Sequence, residues 1–280
     1  MRVIKEHVTH PEHSFRFLSF EAEAFAGARH RHRQLELTWV ERGVGVRFVG
    51  DSVAPFEHGD LVLLGSEVPH SWVSARATTA EPLAATVIQF PPELLEQPGI
   101  PELAALLPLA TRAQRGLAVT GECHARVTDQ LARLRACDSL GRLAGLIEIL
   151  RQLSARPSDL RDIASAATLP LGDAGRERRI DRVIDWIRVQ LGSPLDINDA
   201  ARIAHVTPAA FSRFFRRETG KTYTDYVNAV RCSEACVKLR QSSLPIAAIA
   251  AQCGFRSSSH FNRQFLARIG MEPGAYRRHR

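Results

Sequence analysis

The sequence predicts an α+β chain: a small β barrel or sandwich first, helices behind it, and an all-α C-terminal part made of two similar helical units. Three observations predict it. Short apolar runs separated by turn residues extend from about residue 14 to residue 92. Apolar residues at three- and four-residue steps take over from about 93 to 155. The spacing of Phe211, Arg213, Phe215, Gly220 and Tyr226 then recurs fifty positions later as Phe261, Arg263, Phe265, Gly270 and Tyr276.

In the first region Leu35, Leu37 and Trp39 alternate with Glu36 and Thr38, the pattern of a half-buried strand. Glu41–Gly50 has the Gly and Val content of a hairpin, Gly59-Asp60 marks a turn, and Leu61–Leu64 and Val87–Phe90 read as further short strands before Pro91-Pro92. Residues 93–107 form one or two short helices broken at Pro98-Gly99. A longer helical stretch, Glu122–Ala155, carries Val127, Leu131, Leu134, Leu143, Leu146, Ile147, Leu150 and Leu153, with a break expected near Ser139. Its apolar stripe has two outlets, the barrel or a second copy of the chain in a homodimer. Pro, Ser, Asp, Ala and Gly without a clean period make 156–175 a linker. The scheme is therefore 1–95 barrel, 96–155 helical segment with a dimerisation role open to it, 156–175 linker, and 176–280 duplicated helical domain.

Each copy of the repeat reads as a helix-turn-helix. Ile197–Ala204 is a short helix with Asp196 as its N-cap, His205-Val206 the turn, and Thr207 the cap of a second helix that has Pro208 at its first position. Phe211, Phe214 and Phe215 form the buried stripe of that second helix, leaving Ala209, Ser212, Arg213 and Arg216 on its open side. In the second copy Ile246–Cys253 leads, Gly254-Phe255 turns, and Ser257 caps a helix to about Ile269 with Phe261 and Phe265 inward and Ser259, His260 and Arg263 outward. Tyr223–Arg240 connects the copies. At about 1.5 Å per residue it separates them by roughly 27 Å, suited to successive major grooves about 34 Å apart. Residues 176–280 hold 19 Lys and Arg against 9 Asp and Glu, whereas the remainder holds 18 against 21. That asymmetry fits double-stranded DNA as the partner of one domain. Arginine donates a bidentate pair to guanine, so the matched Arg213 and Arg263 are the foremost base readers. Arg216, Arg217, Arg256 and the tail beginning at Arg277 suit phosphates. A protein-interaction repeat with solvated arginines is the competing explanation.

Five cysteines, odd in number and on helical stretches, argue for reduced thiols. Cys232 and Cys236 stand one helical turn apart, a spacing met more often in packing than in metal binding. Charged residues dot the first twenty positions, and no apolar run approaches the ~20 residues of a membrane span. A cytoplasmic, nucleoid-associated protein without a membrane partner is expected. Finally, if Arg29–Glu36 is a strand, His30, His32, Gln34 and Glu36 share one face and Leu35 and Leu37 the other.

The segments FSRFFRRETG (211–220), IAAQCGF (249–255), SSSHFNRQF (257–265) and PGAYR (273–277) resemble the AraC/XylS family of transcription regulators over about Ile180–Arg278. The resemblance implies two helix-turn-helix subdomains joined by a helix. It places base contacts at Ala209, Ser212 and Arg213 in the first copy and at Ser259, His260 and Arg263 in the second. Ala209 is smaller than the side chains usual there, which leaves a thymine methyl or nothing as its contact. The N-terminal stretch is similar to the two short motifs of the cupin barrel: His30-x-His32, Glu36, Gly43, then Gly59 through to His70. In metal-binding cupins the positions matching His30, His32, Glu36 and His70 hold one divalent ion, and this donor set suits iron, nickel, manganese or zinc. Gly65, Glu67 and Ser74 depart from the second motif.

The expectation is a regulator without catalytic residues. A small-molecule effector, metal-assisted or not, enters the cupin-like sensor barrel, and two recognition helices read an operator, with RNA polymerase as a further partner. A metal-dependent cupin enzyme fused to a DNA-binding domain, and a constitutive DNA-binding protein using the barrel as an interface, are the alternatives.

Overall fold

The computed structural model describes residues 14–25, 27, 29–74, 82–165 and 174–278. Seven strands form the N-terminal β region: β1 (Arg16–Ala22), β2 (Leu35–Arg42), β3 (Gly45–Val49), β4 (Ser52–Phe56), β5 (Asp60–Leu64), β6 (His70–Val73) and β7 (Leu83–Phe90). With β8 (Leu117–Val119) and β9 (Leu160–Asp162) they make a large sheet ordered β1-β7-β2-β5-β8-β9, faced by a small sheet ordered β4-β3-β6. The pairings within both sheets are antiparallel.

The alternation in β2 sorts its side chains between two cores. Leu35 and Leu37 point away from the barrel into an apolar cluster shared with the following helices, whereas Val40 joins the smaller cluster between the sheets with Phe25, Phe56, Val62, Leu64 and Trp72. Glu36 and Thr38 therefore face the interior, where their side chains hydrogen-bond. The expected hairpin at Glu41–Gly50 is corrected: β2 pairs with β5 and β7, β3 with β4 and β6, so this stretch is the corner where the chain leaves one sheet for the other. The tight hairpin lies a few residues later, between β3 and β4.

Two 3-10 turns, Pro92–Glu96 and Pro101–Leu106, precede α1 (Leu107–Arg112), α2 (Gly121–Leu134) and α3 (Ser139–Ala155). Asp138 caps α3 by accepting from the Gly141 N–H at 2.7 Å, which fixes the expected break. The stripe Val127, Leu131, Leu134, Leu146, Leu150 and Leu153 packs against the outer face of the large sheet, so the barrel takes it. The linker expected at 156–175 is corrected over its first part: Leu160–Asp162 adds β9 to the sheet edge, and Arg112 Nε donates to Asp162 at 2.9 Å. An unpaired edge recruits a short passing segment when that segment can supply backbone hydrogen bonds, a pairing that no local composition signals. The rest of that expectation falls largely on 166–173, outside the described residues.

The C-terminal region comprises α4 (Ala174–Val189), α5 (Ile197–Ile203), α6 (Pro208–Thr219), α7 (Tyr223–Gln241), α8 (Ile246–Gln252), α9 (Ser258–Ile269) and α10 (Pro273–Arg278). Asp196 caps α5 through the Asn198 N–H, and Thr207 and Ser257 cap α6 and α9 through the Ala210 and His260 N–H groups. Gly220 and Gly270 end α6 and α9 with φ of 73° and 82°, a conformation that a Cβ would strain. The copies are not offset uniformly. Leading helices α5 and α8 superpose at an offset of 49, with His205 (φ 51°) matching Gly254 (φ 84°) at the turn, while the second helices superpose at 50. One residue, Arg256, is therefore inserted in the second turn.

Candidate functional site

Two places concentrate chemistry. One is the pair of outward faces on α6 and α9. Ala209, Ser212, Arg213, Arg216 and Arg217 are exposed on the first, and Ser259 and Arg263 on the second, with Arg256 exposed in the turn before it. His260 is half-buried, its ring packed edge-on against Phe255 at 5.7 Å. Beneath these faces Phe211, Phe215, Phe261 and Phe265 are fully buried, which holds each ridge at a fixed angle to its leading helix. Two of the arginines expected at phosphates already have protein partners. Arg217 Nε donates to Glu218 at 2.9 Å, and Arg277 donates to the Leu244 carbonyl at 2.6 Å, so Arg277 also ties α10 to the start of the second unit. Cys232 and Cys236 are buried in the second unit's core, and burial pushes the Cys232 thiol up to about 12, so both are packing groups.

The other place is inside the barrel. His30, His32, Glu36 and His70 bring one ligand atom each to within 4.8 Å of one another. Strand alternation alone does not assemble them, because β2 begins only at Leu35. His30 instead exchanges backbone hydrogen bonds with His70 at 3.0 and 2.9 Å, and this bridge carries the His30–His32 segment onto the edge of β6. Glu36 Oε2 accepts from Gln89 Nε2 at 2.9 Å and lies 3.0 Å from His32 Nε2 and 3.6 Å from His70 Nε2, while Oε1 accepts from Thr38 at 2.6 Å. Burial works against ionisation of Glu36, but His70 and His32 outweigh it and hold the carboxyl well below the usual carboxylate range.

These residues suit a cation. Nδ1 of His32 faces the Gln34 carbonyl at 3.0 Å and Nδ1 of His70 faces the Val68 carbonyl at 2.8 Å. A carbonyl can only accept, so each Nδ1 carries a proton, and whenever the rings are neutral the electron pair sits on Nε2. Two Nε2 lone pairs and a carboxylate oxygen then converge, and the buried Nε2 of His70 has no hydrogen-bond partner. A bare convergence of that kind is repulsive. It calls for a shared proton or a metal ion between them.

Sequence reading found all four of these residues but missed Gln89 and Thr38, which fix the Glu36 carboxylate. Gln89 is the one strongly polar residue in the strand Leu83–Phe90, and it faces Glu36 across the ladder. A lone amide in an otherwise apolar strand is the signal that could have found it.

Barrel and helical region meet across the small sheet. Val46 and Phe48 of β3 join the core of the first unit, where Phe48 stacks on Tyr226 at 6.4 Å. Arg29, one residue before His30, pairs with the buried Asp181 of α4 at 3.3 Å. Asp51 in the β3–β4 turn accepts from the Ser165 N–H at 2.9 Å and lies 4.0 Å from Lys221. Glu57 accepts from the Tyr276 hydroxyl at 2.9 Å and pairs with Arg240 at 3.0 Å.

A cupin-like barrel joined to two helix-turn-helix units defines a ligand-responsive, DNA-binding transcription regulator. Comparison with known proteins agrees: the family description "AraC-like ligand binding domain" matches residues 12–170, and "Helix-turn-helix domain" matches residues 200–279. The chain belongs to the AraC family. It is similar to the HTH-type transcriptional activator RhaR of Escherichia coli, 26% identical over 251 residues that span 89% of this chain and 86% of the relative, and equally to RhaR of Yersinia pestis, 26% over 253 residues spanning 89% and 83%. Among solved structures, unsaturated fatty acid-bound ToxT from Vibrio cholerae matches 96% of this chain and 97% of its own at 14% identity and a TM-score of 0.39. The DNA-binding domain of AdpA in complex with a target DNA matches 36% and 91% at 28% identity and a TM-score of 0.35. Among the described residues no helix is long and apolar enough to cross a membrane.

Proposed function

We propose a division of labour between 1–95, the sensor barrel, and 176–280, the operator reader. Arg213 and Arg263 donate to guanine in successive major grooves, with Ala209, Ser212, Ser259 and His260 lining the same two contact faces. Arg216 and Arg256 hold phosphates, and Arg217 and Arg277 join them by exchanging their present protein partners. The observation that carries this reading is the matched exposure of Arg213 and Arg263 above fully buried phenylalanines, in two copies of one fold.

In the barrel, His30, His32, Glu36 and His70 would hold a divalent ion, which supplies a Lewis-acidic anchor for an effector oxygen. The buried Nε2 of His70, without a hydrogen-bond partner beside the Glu36 carboxylate, supports that assignment. Transmission follows from adjacency: Arg29 sits beside His30 and grips α4, and Gly50, next to Asp51, donates to the Pro69 carbonyl beside His70 at 2.8 Å. An effector that binds one placement of these loops more tightly shifts how the first unit is held.

Sequencing DNA fragments captured by the purified protein gives the operator, and binding is then measured across salt concentrations. Arg213→Ala and Arg263→Ala should each weaken specific binding by about 10- to 100-fold and leave salt-dependent non-specific binding nearly unchanged. Operator binding equal to the parent in both variants would remove these arginines from the interface. Metal analysis of the parent, His30→Ala and His70→Ala checks the ion: about one equivalent in the parent and little in either variant is expected.

A further inference from the structure

The two helix-turn-helix units meet at a second place besides α7. Apolar residues of α7 change partners at its middle: Tyr223, Tyr226, Val227 and Val230 belong to the first core, and Cys232, Ala235, Cys236 and Leu239 to the second. One helix joining two cores resists stretching but bends, and a contact beside it removes that freedom. Arg231 occupies the changeover, half-buried, and its guanidinium reaches both units. Nη2 donates to the Ser193 carbonyl at 3.1 Å, in the loop before α5, and the fork lies over the Phe255 ring at 6.0 Å, in the turn before α9. Phe255 in turn packs against His260 and Phe261 of α9, at 5.7 and 5.1 Å.

Around that side chain the two backbones approach closely. A Cβ on Gly254 would collide with the Leu191 carbonyl oxygen and lie 2.8 Å from Arg231 Nη2, and a Cβ on Gly192 would lie 2.9 Å from the Gln252 carbonyl oxygen. The 191–193 loop of the first unit is thus seated on the 252–254 turn of the second, with Arg231 closing the seam. Another tie, from Arg268 of α9 to the carbonyl and carboxylate of Asp225 at 3.4 and 3.5 Å, is longer and exposed. A planar fork donates to a carbonyl and covers a ring at once, which the point charge of lysine does not. We propose that Arg231 is a positioning residue for operator reading: it locks the 191–193 loop onto the 252–254 turn and so fixes which spacing of two half-sites the chain accepts. This deepens the reading of both recognition helices as base readers, and rests on it. A rigidly held pair of modules binds tightly at the matching separation and loses that gain when the spacing is wrong, whereas a loosened pair gives up affinity and tolerates the error.

The test uses the full chain and the captured operator in three forms: intact, with one base pair added or removed between its half-sites, and with one half-site scrambled. One base pair turns the second half-site by roughly 34° about the duplex axis. The parent should lose about 30-fold or more in affinity on either change of spacing. Arg231→Met and Arg231→Lys should bind the intact operator about tenfold more weakly, lose less than about fivefold on a change of spacing, and bind the scrambled operator like the parent. Gly192→Ala, at an exposed position, pushes the loop off the turn with Arg231 in place and should shrink the spacing penalty in the same direction. Arg268→Ala should keep the parent's discrimination. A spacing penalty in Arg231→Met equal to the parent's overturns the proposal. So does an equal loss on all the DNAs, the scrambled one included, because that is what a merely structural residue would give. If the parent itself binds the scrambled operator as tightly as the intact one, the two-helix reading falls first, and the clamp with it.

Discussion

The two helix-turn-helix units share a fold and differ in what closes their cores. The first is completed from outside: Val46 and Phe48 of the barrel pack among Ile180, Ile184, Phe215 and Tyr226. The second closes on itself, with Phe255, Phe261 and Phe265 packed against the C-terminal half of α7 and against Tyr276 of α10. Their surface ties differ in the same sense. The first unit is bound to the barrel through the buried Arg29–Asp181 pair, the second through Glu57 at a more exposed edge. A unit whose core includes part of the sensor cannot move without disturbing it, whereas a self-contained unit can. The lesson is that duplicated modules need not be equivalent: the first shares its core with the barrel and the second closes its own.

The sharpest way to break that contrast is to empty each core. Phe215→Ala and Phe265→Ala should each cost about 3–5 kcal/mol locally. The first should also loosen the barrel in hydrogen exchange, and the second should leave barrel protection unchanged. Equal barrel protection in both variants would end the distinction. A smaller change, Phe48→Ala, removes the barrel's contribution to the shared core. It should cost about 2–4 kcal/mol and increase exchange in α4 and α7 before α9. Next, Thr207→Ala and Ser257→Ala remove the caps of the two recognition helices, each worth about 1 kcal/mol in denaturant unfolding. A markedly larger loss at Thr207 would point to coupling through the barrel. Smallest of all, Glu57→Gln should change stability by less than about 1 kcal/mol, because its partners lie at a part-exposed edge. Loss of operator binding in that variant would show the second unit to be controlled as well.

The proposed ion sharpens the other side. Chelator should lower the Tm of the parent by several degrees and that of His70→Ala hardly at all, since a ligand bound only to the folded state stabilises by mass action. Indifference of the parent to chelator would argue for a shared proton in place of the metal.

Local chemistry was enough to read the second units of each copy. Thr207, Pro208, Ser257, Gly220 and Gly270 occupy the cap positions that short-range hydrogen bonding and φ preference demand, and the 3.6-residue period put Phe211, Phe215, Phe261 and Phe265 inward. The His30, His32, Glu36 and His70 set was legible too, because motif spacing survives whatever path the chain takes between its parts. Three features were not legible. A uniform shift of fifty hides the extra residue at Arg256, since matching aromatics constrain the offset only where they occur. The sheet-changing corner at Gly43 and the late strand at Leu160 depend on which edge is free when the chain arrives, a long-range property.

By itself the sequence determined the second helices of the two units, their N-caps, the inward phenylalanines and the basic C-terminal part, all consequences of composition or of neighbours within a few residues. Only the tertiary structure decided that Gln89 and Thr38 pin Glu36, that Arg29 reaches Asp181, and that Phe48 belongs to the core of the first DNA-binding unit. Those pairings join residues far apart in the chain. Their energy comes from burial and hydrogen bonds formed only after two sheets and two helical units have closed on each other.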